Sequence, residues 1–161
     1  MKTMMAVLAV LAVLVLTACG FHLKGSGPAA YRLPYQNWSV DGGPLQQELE
    51  SALRRAGGEP AADGRAQASL VVSRFAVRKN VYTVTRAALI NEYLLELETQ
   101  VQVYRNGEPF GEPFDVRVRR QMDYADGEAL GRQEEEAQIR QEMRQDAAEQ
   151  IVRRLAFMEQ R

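Results

Sequence analysis

The sequence predicts an α+β domain in which two helices pack on one face of a four-stranded, largely antiparallel sheet. Three features carry that expectation. From Leu70 to Tyr124 apolar residues recur at every second position, interrupted by the turn signal Asn106-Gly107, which is the period of half-buried strands. On either side of this region, apolar residues recur at helical spacing. The resulting order is strand, helix, three antiparallel strands, helix. It sets both helices against one apolar sheet face and leaves the other face polar.

The leading segment stands outside this plan. Met1-Lys2-Thr3 is a short positive start, and Met4 to Leu16 is an almost unbroken apolar run. A bilayer span needs about 20 residues, so the run fits the core of a secretory signal instead. Small residues precede the sole cysteine in Leu16-Thr17-Ala18-Cys19, a pattern that resembles the lipobox of bacterial lipoproteins. The resemblance implies a signal peptide over 1–18 and, on Cys19, an N-acyl group and an S-diacylglycerol lipid. Several acyl chains hold a protein stably at a membrane. Gly20 stands where an Asp would imply inner-membrane retention, so the expected address is the outer membrane, periplasmic side. An ordinary signal followed by an unrelated cysteine is the alternative. Residues 19–30 then form the lipidated N-terminus and a tether, and 31–161 a single domain.

Within that domain, a first strand is expected at Tyr31-Arg32-Leu33 or at Asn37-Trp38-Ser39-Val40. Asp41-Gly42-Gly43-Pro44 is a turn that opens a helix, with Pro44 placed where a missing N–H costs nothing. Leu45, Leu49, Ala52, Leu53 and Ala56 share one helical face, and Gly57-Gly58 stops it. Glu59 to Gln67 is expected to be a polar loop. In the next strand Val71, Phe75, Val77 and Val81 share a face, with Arg74, Arg78 and Asn80 opposite. Leu89, Tyr93, Leu95, Leu97, Val101 and Val103 follow, alternating with Glu92, Glu96, Glu98, Gln100 and Gln102. In the last strand Phe114, Val116, Val118, Met122 and Tyr124 alternate with Asp115, Arg117, Arg119, Gln121 and Asp123.

A two-residue turn at Asn106-Gly107 pairs Leu97 with Val116, Leu95 with Val118, Leu89 with Tyr124, and Glu96 with Arg117. Apolar meets apolar, and acid meets base. Pro109 and Pro113 imply a sheet edge there. After a loop from Ala125 to Arg132, a final helix is expected from about Glu134. Glu134, Glu135 and Glu136 would form its first turn, and Ile139, Met143, Ala147, Ile151 and Leu155 its buried stripe.

Composition removes several classes of function. The chain has 161 residues, 20 basic and 21 acidic, for a net charge of −1. A dedicated nucleic-acid binder would be strongly basic, so no nucleic-acid partner is expected. With one cysteine and one histidine there is no internal disulfide, and no metal site or catalytic residue is expected. His22 lies too near the expected anchor to serve a cleft. The carboxylates of Asp123, Asp126 and Glu128 lack the ligand spacing of a calcium loop.

Strand direction offers one candidate binding feature. The turn Thr85-Arg86-Ala87-Ala88 and the loop ending at Arg132 belong at the same end of the sheet, so Arg86 and Arg132 converge at one tip. If the first strand runs parallel to the second, the anchor falls at the opposite end. Guanidinium groups suit phosphates because they donate two hydrogen bonds at once, although surface arginines are ordinarily just solvated charges.

Three stretches resemble one family. Cys19-Gly20-Phe21-His22-Leu23-Lys24 is similar to the Cys-Gly-aromatic-His-Leu-basic opening of the mature LPS-assembly lipoproteins of the LptE family. Arg86 to Tyr93, ending in Asn91-Glu92-Tyr93, resembles the family's second hairpin. Ala129-Leu130-Gly131-Arg132, followed by Met143 to Leu155, resembles its closing helix. The resemblance implies a two-helix, four-stranded domain lodged as a plug inside the outer-membrane β-barrel LptD, in a heterodimer. It also implies help with barrel assembly and binding of lipopolysaccharide (LPS) during delivery to the outer leaflet. The family's basic LPS-contact positions fall at Arg86 and Arg132. No cofactor is implied beyond the lipid on Cys19. The alternative is a structural lipoprotein subunit of another envelope machine, such as the barrel-insertion complex.

Overall fold

The computed structural model describes residues 33–86, 89–124 and 129–158. The signal, the tether with Cys19 and His22, and residues 125–128 with Asp126 and Glu128 lie outside the described residues. Within them the chain runs β1 (Asn37–Asp41), α1 (Gln46–Arg55), β2 (Glu59–Pro60), β3 (Ala68–Val84), β4 (Ile90–Arg105), β5 (Glu108–Pro109), β6 (Phe114–Asp123) and α2 (Ala129–Leu155). Short 3-10 turns occupy Gly43–Leu45 and Asp63–Arg65.

The first strand takes the second of its two expected positions, and it runs parallel to β3 with Trp38 opposite Ala68. Strands β3, β4 and β6 are antiparallel. Two-residue pairings raise the strand count from four to six. One lies inside the expected Glu59–Gln67 loop, where β2 pairs parallel with β1. The other arises because the expected last strand is broken into β5 and β6, both on the same edge of β4.

That break corrects the register. Around the turn, Arg105 faces Glu108 and Tyr104 faces Pro109, as a two-residue connection requires. Asn106 and Gly107 have φ of 53° and 80°, the left-handed pair such a turn needs. Beyond it, Val101 faces Phe114, Leu97 faces Val118 and Glu96 faces Arg119, a slip of two residues from the expected partners. Phe110 still donates its N–H to Val103 O at 2.8 Å; residues 111–113 then leave the ladder, with Gly111 at φ 73° and Pro113 unable to donate to it. A slip of two preserves every side chain's face, because the strand period is two. Leu89 meets no β6 partner and is exposed, contrary to its expected pairing with Tyr124.

A second correction lies in β3. The ladder shifts between Val72 and Arg74, so a bulge at Ser73 changes which parity points inward. Leu70 and Val72 face the core before it and Phe75 and Val77 after it. Val71 therefore does not share a face with Phe75. A third concerns Gln102. It is only 8% exposed because its amide donates to Val103 O at 2.7 Å and to Gly111 O at 3.2 Å, under the looped-out segment.

Helix α1 buries Leu49, Ala52 and Leu53. It ends where Gly57 N–H bonds Arg54 O and Gly58 N–H bonds Leu53 O, a Schellman closure that requires the positive φ of Gly57. Helix α2 begins at Ala129 rather than near Glu134, because Ala129 and Leu130 are strong helix formers that tolerate Gly131. The three glutamates thus lie in its second turn, and Arg132 belongs to the helix rather than to a loop. Met143, Ala147, Ala148, Ile151, Val152 and Leu155 are buried along its inner face. They meet Leu95, Leu97, Val101, Val116 and Met122 of the sheet in one core.

Candidate functional site

The site is assembled where four chain segments meet at one end of the sheet. β3 leaves through Val84, β4 enters at Ile90, β6 ends at Asp123, and α2 starts at Ala129. At about 3.3 Å per residue, the 17 residues of β3 carry this end roughly 55 Å from the other. The chain enters the described sheet at Leu33 to Asn37, the opposite end, since β1 and β3 are parallel.

The β3–β4 turn is closed by its own bonds. Thr85 N–H donates to Leu89 O at 2.7 Å, and Leu89 N–H donates back to Thr85 Oγ1 at 3.2 Å. Arg86 sits exposed within that closure. Tyr124 continues β6 by donating its N–H to Asn91 O at 2.8 Å, which brings the start of the connection to α2 beside β4.

Arg132 has a different setting. It is half-buried in the first turn of α2, with its guanidinium 4.8 Å from the centre of the Tyr124 ring. Tyr124 meets Tyr93 edge to face at 5.4 Å, and Lys79 Nζ stands 4.3 Å over the Tyr93 ring. The Lys79 ammonium also binds Glu136 at 2.5 Å, and Glu136 in turn accepts from Arg140 at 2.6 Å. Lys79, Met122, Tyr124, Arg132, Gln133 and Glu136 line a shallow pocket of about 320 Å³. Cation–π contacts of this kind contribute roughly 0.5–1 kcal/mol each at exposed sites, so the cluster holds Arg132 in place without removing it from solvent.

The two arginines expected from sequence therefore stand at one end of the sheet on different layers, Arg86 on the sheet's turn and Arg132 on the helix. Lys79, Tyr93, Tyr124 and Glu136 complete the surroundings, and sequence reasoning had placed none of them in a site. One signal was present. Lys79 follows Val77 by two residues, which puts a lysine on the face of β3 that turns toward the helix layer. Among the described residues, no group of three or more His, Cys, Asp or Glu is arranged to hold a metal. None of their helices is long and apolar enough to cross a membrane.

The outward sheet face is a lattice of opposite charges. Glu98 on β4 lies between Arg78 at 3.3 Å and Arg117 at 3.0 Å. Glu96 accepts from Arg119 at 2.7 Å. The carboxylates occupy the central strand and the more exposed arginines flank them, as far apart as the strand spacing allows.

Solved structures of bacterial lipoproteins share this fold. A minor lipoprotein from Acinetobacter baumannii superposes with a TM-score of 0.66 at 22% identity, covering 77% of this chain and 92% of that one. Lipoprotein B from Nitrosomonas europaea gives 0.69 at 17% identity, over 85% and 90% of the two chains. Sequence narrows the class. Residues 32–155 match the family LptE, Lipopolysaccharide-assembly. The chain is 33% identical over 149 residues to the LPS-assembly lipoprotein LptE of Pectobacterium atrosepticum, covering 90% of this chain and 80% of that one. It is 32% identical over 150 residues to the protein of the same name from Photorhabdus laumondii, with 90% and 81% covered. The chain belongs to the LptE family of LPS-assembly lipoproteins.

Proposed function

We propose that this chain is a non-catalytic outer-membrane lipoprotein of LPS export. Acyl chains on Cys19 hold it on the periplasmic side, and the domain seats as a plug in the barrel LptD and assists its assembly. The tip carrying Arg86 and Arg132 binds LPS on its way to the outer leaflet. Family membership across residues 32–155 supports the assignment to LPS assembly. The single observation that carries the LPS-binding part is the pair of guanidinium groups presented from two layers at one end of the sheet. Their planar forks suit phosphate oxygens, and two attachment points on separate elements restrict how a phosphorylated headgroup sits.

The test is the double charge reversal Arg86→Asp/Arg132→Asp in the full chain. Its unfolding midpoint is expected to stay close to wild type, because neither arginine belongs to the buried core, while LPS binding at low salt falls at least about tenfold. A folded double variant that binds LPS as tightly as wild type sinks the assignment of the site. Gentle detergent extraction tests the partner: co-purification of a large LPS-export barrel is expected, and recovery only with a barrel-insertion complex overturns it. Intact mass of the mature chain tests the lipid on Cys19.

A further inference from the structure

Four of the five large apolar side chains exposed among the described residues gather at one place. Val81, Tyr82, Val84 and Leu89 are each more than half exposed at the end of the β3–β4 ribbon. The β6 ladder stops at Glu92 opposite Asp123, whereas β3 and β4 continue to Val84 opposite Ile90. Tyr124 N–H still reaches Asn91 O, and past that point Val84, Leu89 and Ile90 stand without a third strand, whereas Val81, opposite Tyr93, lies just before it. A bare two-stranded ribbon covers neither of its faces, and the register shifts on either side of Thr83 break the alternation that would direct apolar residues to a single side. Exposed apolar side chains gathered this closely at one end of a domain mark a contact.

Arg86 lies inside this patch, between Val84 and Leu89 in sequence, in a turn held shut by the reciprocal Thr85–Leu89 bonds. A cation set among exposed aliphatic groups is complementary to a molecule whose anionic group and hydrocarbon are joined at short range. A second copy of the chain fits less well, because symmetric pairing through this end brings Arg86 against Arg86. A purely apolar wall would leave the guanidinium without a counter-charge.

We propose that the ribbon end is an acyl-chain contact for a phosphorylated glycolipid: Val84 and Leu89, with Val81 and Tyr82 behind them, cover hydrocarbon while Arg86 meets the phosphate. The proposal rests on the LPS-binding reading above and assigns that ligand's fatty acyl chains to named residues. Each methylene removed from water is worth about fourfold in affinity, so even partial cover of two chains by these side chains is measurable.

The experiment titrates the full chain in mild detergent with intact LPS and with deacylated LPS, which keeps the phosphates and lacks the fatty acids. Wild type is expected to prefer intact LPS. Val84→Ser/Leu89→Ser is expected to lose at least about tenfold for intact LPS, equivalent to about 1.4 kcal/mol, with no change for the deacylated form. Val84→Ile/Leu89→Met keeps the apolar surface and is expected to bind as wild type; weakened binding there overturns the proposal. Unchanged thermal melts of both variants exclude misfolding as the cause. Equal binding of intact LPS by wild type and the serine variant overturns the proposal while leaving the LPS-binding reading standing. So does equal wild-type affinity for the two ligands. Wild type that binds neither ligand removes that reading and this proposal together. A serine variant that keeps LPS binding but loses barrel co-purification, or loses a dimer seen by sedimentation, assigns the patch to protein contact and overturns it as well.

Discussion

Lys79 and Glu136 show how single side chains set up the tip. Lys79 occupies an inward position of β3, so its stem lies at the sheet–helix boundary and its ammonium needs company. Glu136 and the Tyr93 face supply it. The hydrogen bond from Lys79 is the main reason the Glu136 carboxyl is held below the usual carboxylate range; Arg140 adds to the effect and burial works against it. A carboxyl with a lowered folded-state pKa binds its proton less readily folded than unfolded. Its contribution is therefore complete above the unfolded value of about 4.5 and is lost as pH falls through the folded value. Glu136→Gln is expected to flatten the stability profile between about pH 5 and 3, leaving the wild type with the steeper acid loss. Chemical denaturation across that window measures it, and parallel profiles for the two proteins would show that the contact contributes nothing.

Strand β6 illustrates what a broken edge does to a sheet. With residues 111–113 out of the ladder, Glu96 meets Arg119 at 2.7 Å and Glu98 meets Arg117 at 3.0 Å. Double-mutant cycles distinguish this from the uninterrupted hairpin. Glu96 and Arg119 are expected to couple by about 0.2–1 kcal/mol, the ordinary range for exposed pairs. Glu96 and Arg117 are expected to show no coupling. The reverse pattern would restore the register that the turn alone implies. Helix α2 fastens the same edge from the other side: Arg120 pairs with Asp146, and Arg154 donates to the backbone oxygen of Asp115 at 2.8 Å. Crosslinking from Arg119 samples an open position on this face, whereas Gln102, buried under the looped-out segment, does not.

Taken together, the described elements share one core, and the two helices bind each other as well as the sheet. Arg144 reaches Glu48 at 3.1 Å and Arg55 reaches Glu149 at 3.2 Å. Met143 is fully buried in that core. Met143→Ala is expected to cost about 2–5 kcal/mol, lost transfer energy plus a cavity that close packing fills only in part. The sole tryptophan, Trp38, is buried beneath Tyr35, which it meets edge to face at 5.7 Å. Its fluorescence reports the far edge of the core, so unfolding followed by fluorescence and by far-ultraviolet circular dichroism is expected to coincide. Separate transitions, or a loss under about 1 kcal/mol, would show that α2 is an independent layer.

Periodicity and turn chemistry act over a few residues. That is why the strand faces of β4 and β6, the buried stripe of α2, the Asn106-Gly107 turn and the shared end of Arg86 and Arg132 were all readable along the chain. The register of β6, the parity change at Ser73 and the burial of Gln102 were not readable, because each depends on where a looped segment settles against a neighbour. The same holds for the contact between Lys79 and Glu136, 57 residues apart. No local pattern encodes which inward-facing charge will meet which helix. That pairing exists only once the layers close and bring the two charges together at their boundary.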